Sequence, residues 1–537
     1  MRTLVGVLLL MMALTGDAFA ERANTLTVTL TPTPDGLRAD YVFARPVPHI
    51  ALQLGDSAAP NAHISISTRG LTLLQGGGVT GASPFRRMSL LITPDTARAD
   101  ATYPVLVNVG AGRLLYAPVL ADTAAYTVRY RAAQGLQLTG SQSGDGFLFV
   151  GPAAQIHSDG GLIFITAAAT PSSVSHWFAA ESQNLLAFYS QKLGRGPADP
   201  ATVILDYRQS EQTDFAGDVT PHGMLLLQVT ARSEQDAQTV RESAFHLLAH
   251  EFFHLWNGNV DYNEADGNGH WIHEGAAEYA AHLATHVLHP EWDGLAQALA
   301  ADYSPCANTL GDSSLVGLAD ARAESTRYSC GLYAYWILDL TLRHQSPPSD
   351  VFSVWRQLFG AGVNRPYNYA DVRAATAGLP ADNPYALLVE GRGADRWRDI
   401  IAALKAYGVD AQFSSDVADA YREASAYTLM RAACTPQANG HMGFSARMNG
   451  TALTLDDNPS CGELAGGPRL IAVDGVNTDT GAWADVYRAI VADCATRGAI
   501  HLHVARSDGE HDVDVVCRVA PVTPPMRVII SDPWPER

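Results

Sequence analysis

The spacing of apolar positions divides the chain into a strand-rich first part, a helical middle and a strand-rich end. Over residues 23–168, short runs such as LTVTLTP, HISISTRG and LIFITAA alternate apolar and polar residues between Pro and Gly, which is typical of strands. Over 175–424 the apolar positions recur mostly at helical intervals. Short strand-like runs return over 434–519, with one helix predicted over 483–494. The pattern therefore predicts an α+β multidomain protein.

The middle part contains a compact series of predicted elements. A helix is expected over 175–193, a strand over 201–206 and an edge strand over 223–230. They lead directly into a helix predicted over Gln238–Trp256, whose apolar residues recur every three or four positions. Asn257-Gly258 ends that helix.

The helix before Asn257 contains the sequence HEFFH. His250 and His254 are four residues apart, so they project from one face, with Glu251 one position round the helix. Two imidazoles on one face suit a single metal ion, and the carboxylate between them can reach a water molecule on that ion. The motif therefore predicts a metal site with a candidate general base.

A metal held by two histidines needs a third protein ligand. A metzincin-type site would require a histidine where the chain has Val260, so that interpretation fails. The other sources are His270, His273 and Glu274, and we favour Glu274, which follows HEFFH after 19 intervening residues on a second predicted helix. Glu278 shares its face and can accept a hydrogen bond from a ligand histidine.

HEFFHLWN followed by WIHEGAAEY resembles the gluzincin metallopeptidases, and in particular the glycyl aminopeptidase family. The resemblance implies a Zn²⁺ ion bound by His250, His254 and Glu274, with Glu251 as the general base. It also implies a mainly helical thermolysin-like catalytic domain between a β-rich domain and a PDZ-like β domain. The expected boundaries are a signal peptide at 1–20, a β-rich N-terminal domain at 21–170, a thermolysin-like zinc peptidase domain at 171–430, a PDZ-like domain at 431–520 and a Pro-rich tail at 521–537.

Two further features follow from this resemblance. The run YSCG, at the start of a helix predicted over Tyr328–Arg343, is similar to the family's Y-x-K-G, which implies that Tyr328 hydrogen-bonds the reaction's oxyanion. Cys330 replaces the usual lysine, and a bridge to Cys306 would fix this loop beside the site.

The predicted edge strand that begins at Gly223-Met224 is the expected substrate strand, because its backbone can pair with an extended peptide. Exopeptidase relatives carry an acidic residue in this strand, whereas GMLLLQ has none. We therefore expect a weaker preference for free amino termini. In the last domain, MGF at Met442–Phe444 and LIAVDGVNT at Leu470–Thr478 resemble strands of a PDZ domain.

The N-terminal sequence and the cysteines predict the cellular compartment of the protein. The chain begins with Arg2, an apolar run over Leu4–Leu14 and Ala18-Phe19-Ala20, which together resemble a cleaved secretory signal. No later run is apolar for long enough to span a membrane. The six cysteines show no CxxC spacing, so we expect disulfides in a periplasmic or secreted protein.

The formal charge of −19 and the scarcity of lysine argue against nucleic acid as a partner. The expected function is that of an exported zinc metallopeptidase acting on peptides or proteins. Two alternatives come from other classes: a non-catalytic peptide-binding or scaffolding protein that uses the PDZ-like module, and a zinc hydrolase of non-peptide substrates. The intact Glu251 argues against the first alternative.

Overall fold

A computed structural model describes the chain from residue 24 to residue 534, except for 53–61, 75–76, 95–104, 122–124, 141–145, 211–212, 221–222, 259, 261–268, 319–324, 346–348, 361–365, 394, 435–445, 450–451, 456–458, 507, 519 and 525. The predicted signal peptide and the MGF run therefore lie outside the described residues. The chain forms two compact units, and the first comprises the described residues up to Gly258 together with Val287–His289.

The first unit contains three sheets followed by the helix with HEFFH. Its helices are α1 (Ser172–Leu193), α2 (Glu234–Thr239) and α3 (Arg241–Asn257). Its strands are β1 (Asn24–Thr33), β2 (Gly36–Ala51), β3 (Ala62–Ile66), β4 (Leu71–Leu73), β5 (Gly78–Pro94), β6 (Leu106–Val109), β7 (Gly112–Tyr116), β8 (Tyr126–Ala132), β9 (Leu136–Gly140), β10 (Phe147–Pro152), β11 (Ile156–Asp159), β12 (Leu162–Thr166), β13 (Ala201–Gln209), β14 (Asp214–Thr220) and β15 (Met224–Ala231).

Two of these sheets form the N-terminal part. One has the order β3-β5-β2-β1-β8 with β4 on β5, and the other has the order β6-β7-β10-β9. Strand β1 illustrates the alternation, because Leu26, Val28 and Leu30 are fully buried while the residues between them are partly exposed. The predicted β-rich N-terminal region is confirmed.

The third sheet has the order β11-β12-β13-β15-β14, and it corrects the sequence analysis. Strand β15, predicted over Gly223–Thr230 as the edge strand, pairs with β13 on one side and β14 on the other, so that prediction is wrong. Its run of apolar residues is typical of an interior strand. The strand at this end of the sheet is β14, whose sequence DFAGDVT lacks a clear apolar pattern. Strands β11 and β12, expected in the N-terminal domain, also belong here.

The second unit begins with a group of helices. These are α4 (Gly269–Leu288), α5 (Leu295–Leu310), α6 (Gly331–Gln345), α7 (Val351–Gly360), α8 (Tyr369–Ala375), α9 (Pro384–Val389), α10 (Arg396–Ala406) and α11 (Ala418–Ala433). A π-helix over Ser325–Cys330 precedes α6, so the helix predicted from Tyr328 changes its winding before Gly331. Such π-helical turns occur frequently at functional sites. None of the described helices combines the length and apolarity of a membrane span.

The C-terminal module contains a sheet of order β17-β18-β19-β21-β22, with β20 on β19. Its core includes Trp483, Val486 and Ile490 from a helix that packs on the sheet. The elements of this part are β16 (Ala411–Ser414), β17 (Ala446–Asn449), β18 (Ala452–Leu455), β19 (Arg469–Val473), β20 (Val476–Asn477), α12 (Trp483–Thr496), β21 (Ala499–Arg506), β22 (Gly509–Val516) and β23 (Arg527–Ile530). Strand β23 lies in the predicted Pro-rich tail, yet it pairs with β16, so the tail includes an ordered strand.

All six cysteines are paired. The disulfides are Cys306–Cys330, Cys434–Cys461 and Cys494–Cys517. The expectation of disulfides is confirmed, and the first bridge is the one expected beside YSCG. Each bridge closes a short stretch of chain, which restricts the unfolded state and stabilises the fold by roughly 2–4 kcal/mol.

Candidate metal centre

The HEFFH face of α3 is held in place by α1. His250, Glu251 and His254 are 6%, 8% and 8% exposed, and the two imidazole centroids are 4.9 Å apart. Tyr189 of α1 donates a hydrogen bond to the carbonyl of Ala249 at 3.0 Å, immediately before the first histidine. The two imidazoles and the carboxylate therefore lie on a fixed, water-poor helix face.

Asn257 has a role that the sequence analysis missed. It is fully buried, and its side-chain oxygen lies 2.8 Å from Nδ1 of His254. An Nδ1–H group that donates to this oxygen leaves Nε2 as the nitrogen that can bind a metal. From the sequence, Asn257 was predicted only to end the helix, although its i+3 spacing from His254 was a signal for this contact.

In the second unit, a contact between two glycines brings the α4 backbone against the start of α6. A Cβ atom added to Gly275 would lie 2.3 Å from Cα of Gly331. Gly275 follows Glu274, and Gly331 comes three residues after Tyr328. Because no side chain separates the two backbones, the candidate third ligand and the candidate oxyanion donor lie on segments in direct contact.

The segment that carries Tyr328 is fixed by several contacts. The disulfide from Cys330 to Cys306 joins it to α5, and Oγ of Ser329 donates a hydrogen bond to Asp302 at 2.7 Å. Burial raises the pKa of Asp302 to about 6, although the hydrogen bond from Ser329 opposes the shift. The guanidinium of Arg327 lies 5.4 Å from the centre of the Tyr328 ring.

The predicted ligand set forms a group that could hold a metal ion. The candidate ligand atoms of His250, His254 and Glu274 all lie within 4.8 Å of one another. His273, an alternative third ligand, has its Nδ1 3.8 Å from Glu274 Oε1. Glu278 Oε1 lies 3.8 Å from Nε2 of His282, and its hydrogen bond to a ligand histidine stays a prediction.

The strand beside Glu251 is β14. The predicted substrate strand was β15, whose expected edge position was the reason for that prediction. A Cβ atom added to Gly217 of β14 would lie 3.3 Å from Cγ of Glu251. Met224 is 2% exposed within β15, and Gly223 only leads into that strand with a φ of 75°. Their backbone cannot present a free edge to a peptide, because β15 pairs on both sides. Among the described strands, β14 is the one that ends this side of the sheet.

No protein-family model matches the chain, and no curated protein matches it. Structural comparison finds a solved structure of similar fold, and two others superimpose with lower scores. The aminopeptidase N family protein from Idiomarina loihiensis superimposes with a TM-score of 0.57 at 12% identity, covering 95% of this chain and 98% of that one. An M1 zinc metallopeptidase from Deinococcus radiodurans gives a TM-score of 0.40 at 20% identity, covering 69% of this chain and 93% of that one. Yeast LTA4 hydrolase gives a TM-score of 0.41 at 12% identity, covering 76% of this chain and 71% of that one. The chain therefore has the fold of the Idiomarina aminopeptidase N family protein, and the predicted α+β multidomain architecture is confirmed at that level.

Proposed function

We propose that the protein is a zinc-dependent metallopeptidase that hydrolyses peptide bonds. The observation that carries this proposal is the grouping of His250, His254 and Glu274, with Glu251 on the same helix as the two histidines. Two imidazoles and one carboxylate are the ligand set of many catalytic zinc sites, and three protein ligands leave a position open. The bond between Asn257 and Nδ1 of His254 adds the partner that a zinc-bound imidazole usually has.

In this proposal each group has a separate task. Zn²⁺ held by the three ligands would polarise the scissile carbonyl and make a water molecule acidic near neutral pH. Glu251 would accept a proton from the attacking water and deliver it to the leaving amine, a role consistent with its position on the same helix as the two histidines. Tyr328 donates a hydrogen bond to the negative charge that develops on the substrate oxygen.

The edge of β14 at which the described sheet ends is the proposed binding surface for the substrate backbone. An extended peptide can add to this edge as a further strand, and because Gly217 has no side chain, the strand lies directly against Glu251. Because successive side chains of a strand lie on opposite faces of the sheet, the side chain of Asp218 lies on the face opposite Gly217, away from Glu251. We therefore retain the expectation of a weaker preference for free amino termini.

The finer assignments are also part of the proposal. The HEFFHLWN and EGAAEY motifs support a glycyl aminopeptidase-like peptidase, and the sheet with α12 supports a PDZ-like last module. Three disulfides support a periplasmic or secreted location, since such bridges persist in oxidising compartments.

The test combines metal content with turnover. The full chain is purified, its zinc is measured, and a peptide library is incubated with it while the cleaved bonds are mapped by mass spectrometry. We expect bound zinc, cleavage that stops on chelation, and recovery when Zn²⁺ is restored. Zinc without any cleavage of peptides would contradict the proposal and favour the scaffolding function.

A further inference from the structure

A second group of metal-ligand side chains lies beside the proposed catalytic ligands. The ligand atoms of His246, Glu278 and His282 all lie within 4.8 Å of one another, which is the same limit that the proposed zinc ligands meet. Among the residues that the structure describes, these are the two groups of three His, Cys, Asp or Glu side chains that converge in this way. The proposed function uses only the first group.

The spacing along α3 and α4 produces both groups. His246 precedes His250 by four residues on α3, and Glu278 and His282 follow Glu274 by four and eight residues on α4. Residues four apart are neighbours on one face of a helix, so each helix carries a continuous row of ligand-type side chains. Four residues rise by ~6 Å along a helix, so the second group lies about one turn from the first.

The second group is not an exposed surface cluster. His282 is 5% exposed, the side chain of Glu278 is 22% exposed, and His246 is half-buried. Nε2 of His282 lies 3.8 Å from Oε1 of Glu278, which is longer than a hydrogen bond. Two ligand atoms in a tetrahedral zinc site with bonds of ~2.0–2.1 Å are about 3.3 Å apart. A small movement of the two side chains would therefore place both atoms on one ion.

We propose that His246, Glu278 and His282 bind a second transition-metal ion such as Zn²⁺. Imidazole ligands suit Zn²⁺, whereas Ca²⁺ and Mg²⁺ prefer sites made of oxygen atoms. Ions that act together on one substrate are ~3.5–4 Å apart, but one helical turn is ~5.4 Å. The second ion is therefore not a partner in the chemistry of the first, and its effect is to stabilise the folded chain to which it binds.

A simpler explanation is a polar cluster that binds no metal. Glu278 would then accept a hydrogen bond from a histidine of the first group, as the sequence predicts, and would form an ordinary i,i+4 pair with His282. This explanation predicts at most one bound Zn²⁺ per chain. The number of bound ions therefore separates the two explanations.

The experiment measures bound Zn²⁺ per chain, by calorimetric titration and metal analysis of the full chain after treatment with a chelator. Wild type is compared with His282→Gln and His246→Gln, which each remove one imidazole ligand. The matched control is His286→Gln, one turn further along α4, whose imidazole is 42% exposed and bonds Asp293. We expect both ligand variants to bind one Zn²⁺ fewer than wild type and the control to bind the full number. If the buried His282 is needed for folding, the half-buried His246 still gives the test.

A further variant distinguishes this site from the proposed catalytic centre. His254→Ala should lose one Zn²⁺ and keep the other, and the double variant His254→Ala/His282→Gln should bind none. If wild type binds a single ion that is kept in His254→Ala and lost in His282→Gln, the second site is supported and the proposed catalytic centre is not.

Thermal unfolding gives an independent measurement. Zn²⁺ added at about 100 times its Kd for the second site should raise the Tm of His254→Ala, because the ion binds only the folded chain, and should leave the Tm of the double variant unchanged. Ca²⁺ at the same concentration should have no effect. Equal numbers of bound Zn²⁺ in wild type, His246→Gln and His282→Gln would overturn the proposal, and so would a single ion that only His254→Ala removes.

Discussion

The contact between Gly275 and Gly331 gives a prediction whose size can be worked out from the structure. An alanine Cβ at position 275 would lie 2.3 Å from Cα of Gly331, whereas ordinary contact begins at 3.4 Å. In Gly275→Ala the two backbones must therefore separate by about 1.1 Å. This displacement moves the segment with Tyr328 relative to the helix with Glu274.

The effect on catalysis should exceed the effect on stability. A misplacement of ~1 Å in a catalytic arrangement can cost ~10²-fold in rate, so we expect kcat/KM to fall by about that factor. Overpacking costs roughly 1–3 kcal/mol, but alanine is favoured over glycine inside a helix by ~1 kcal/mol. The second term offsets only part of the first, because the atoms that the added Cβ meets are backbone atoms, so Tm should fall by a few degrees.

The assay measures kcat/KM on a cleaved peptide together with zinc content and thermal unfolding. The matched control is Gly360→Ala at the end of α7, where an added Cβ meets nothing within 4 Å, and this variant should keep its activity. Full activity in Gly275→Ala would show that the glycine contact does not set the geometry of the site. Loss of the cooperative unfolding transition would show that the contact is needed for the fold.

The remaining predictions concern the proposed ligands, a buried carboxyl group and the substrate terminus. Glu251→Gln should keep its zinc while its turnover falls by at least ~10²-fold. Glu274→Ala should lose zinc. If His273→Ala loses zinc instead, His273 rather than Glu274 is the third ligand. Because burial raises the pKa of Asp302 to about 6, the folded state keeps a proton that the unfolded chain loses above pH ~4, so stability falls as pH rises between these values. Asp302→Asn should therefore raise the free energy of unfolding at pH 7–8 by on the order of 3 kcal/mol and leave it unchanged at pH 4, as measured by denaturant unfolding at both pH values. Peptides with an acetylated amino terminus should be cleaved at rates comparable to those of peptides with a free amino terminus. If only the free peptides are cleaved, and if Asp218→Asn abolishes that cleavage, the edge strand binds the terminal amine.

Local patterns were enough to predict several features of the site. The spacing of His250 and His254 places both on one face of any α-helix, and the run of apolar residues around them predicts that helix. The second helix with Glu274 was also predicted from its motif, and the structure groups its carboxylate with the two imidazoles. Each of the two motifs lies within a few turns of one helix, so neighbouring positions in the chain encode it.

The sequence by itself determined the types of most of its elements, the HEFFH face and the disulfide-forming character of its cysteines. Only the tertiary structure decided that β14 rather than β15 ends the third sheet of the first unit, because strand order depends on pairing between distant segments, which hydrophobic periodicity does not encode. The same holds for Gly275 and Gly331, which are 56 positions apart and show their importance only when two backbones meet. Hydrophobic periodicity specifies which face of an element is buried, whereas contacts between distant segments specify what that face is buried against.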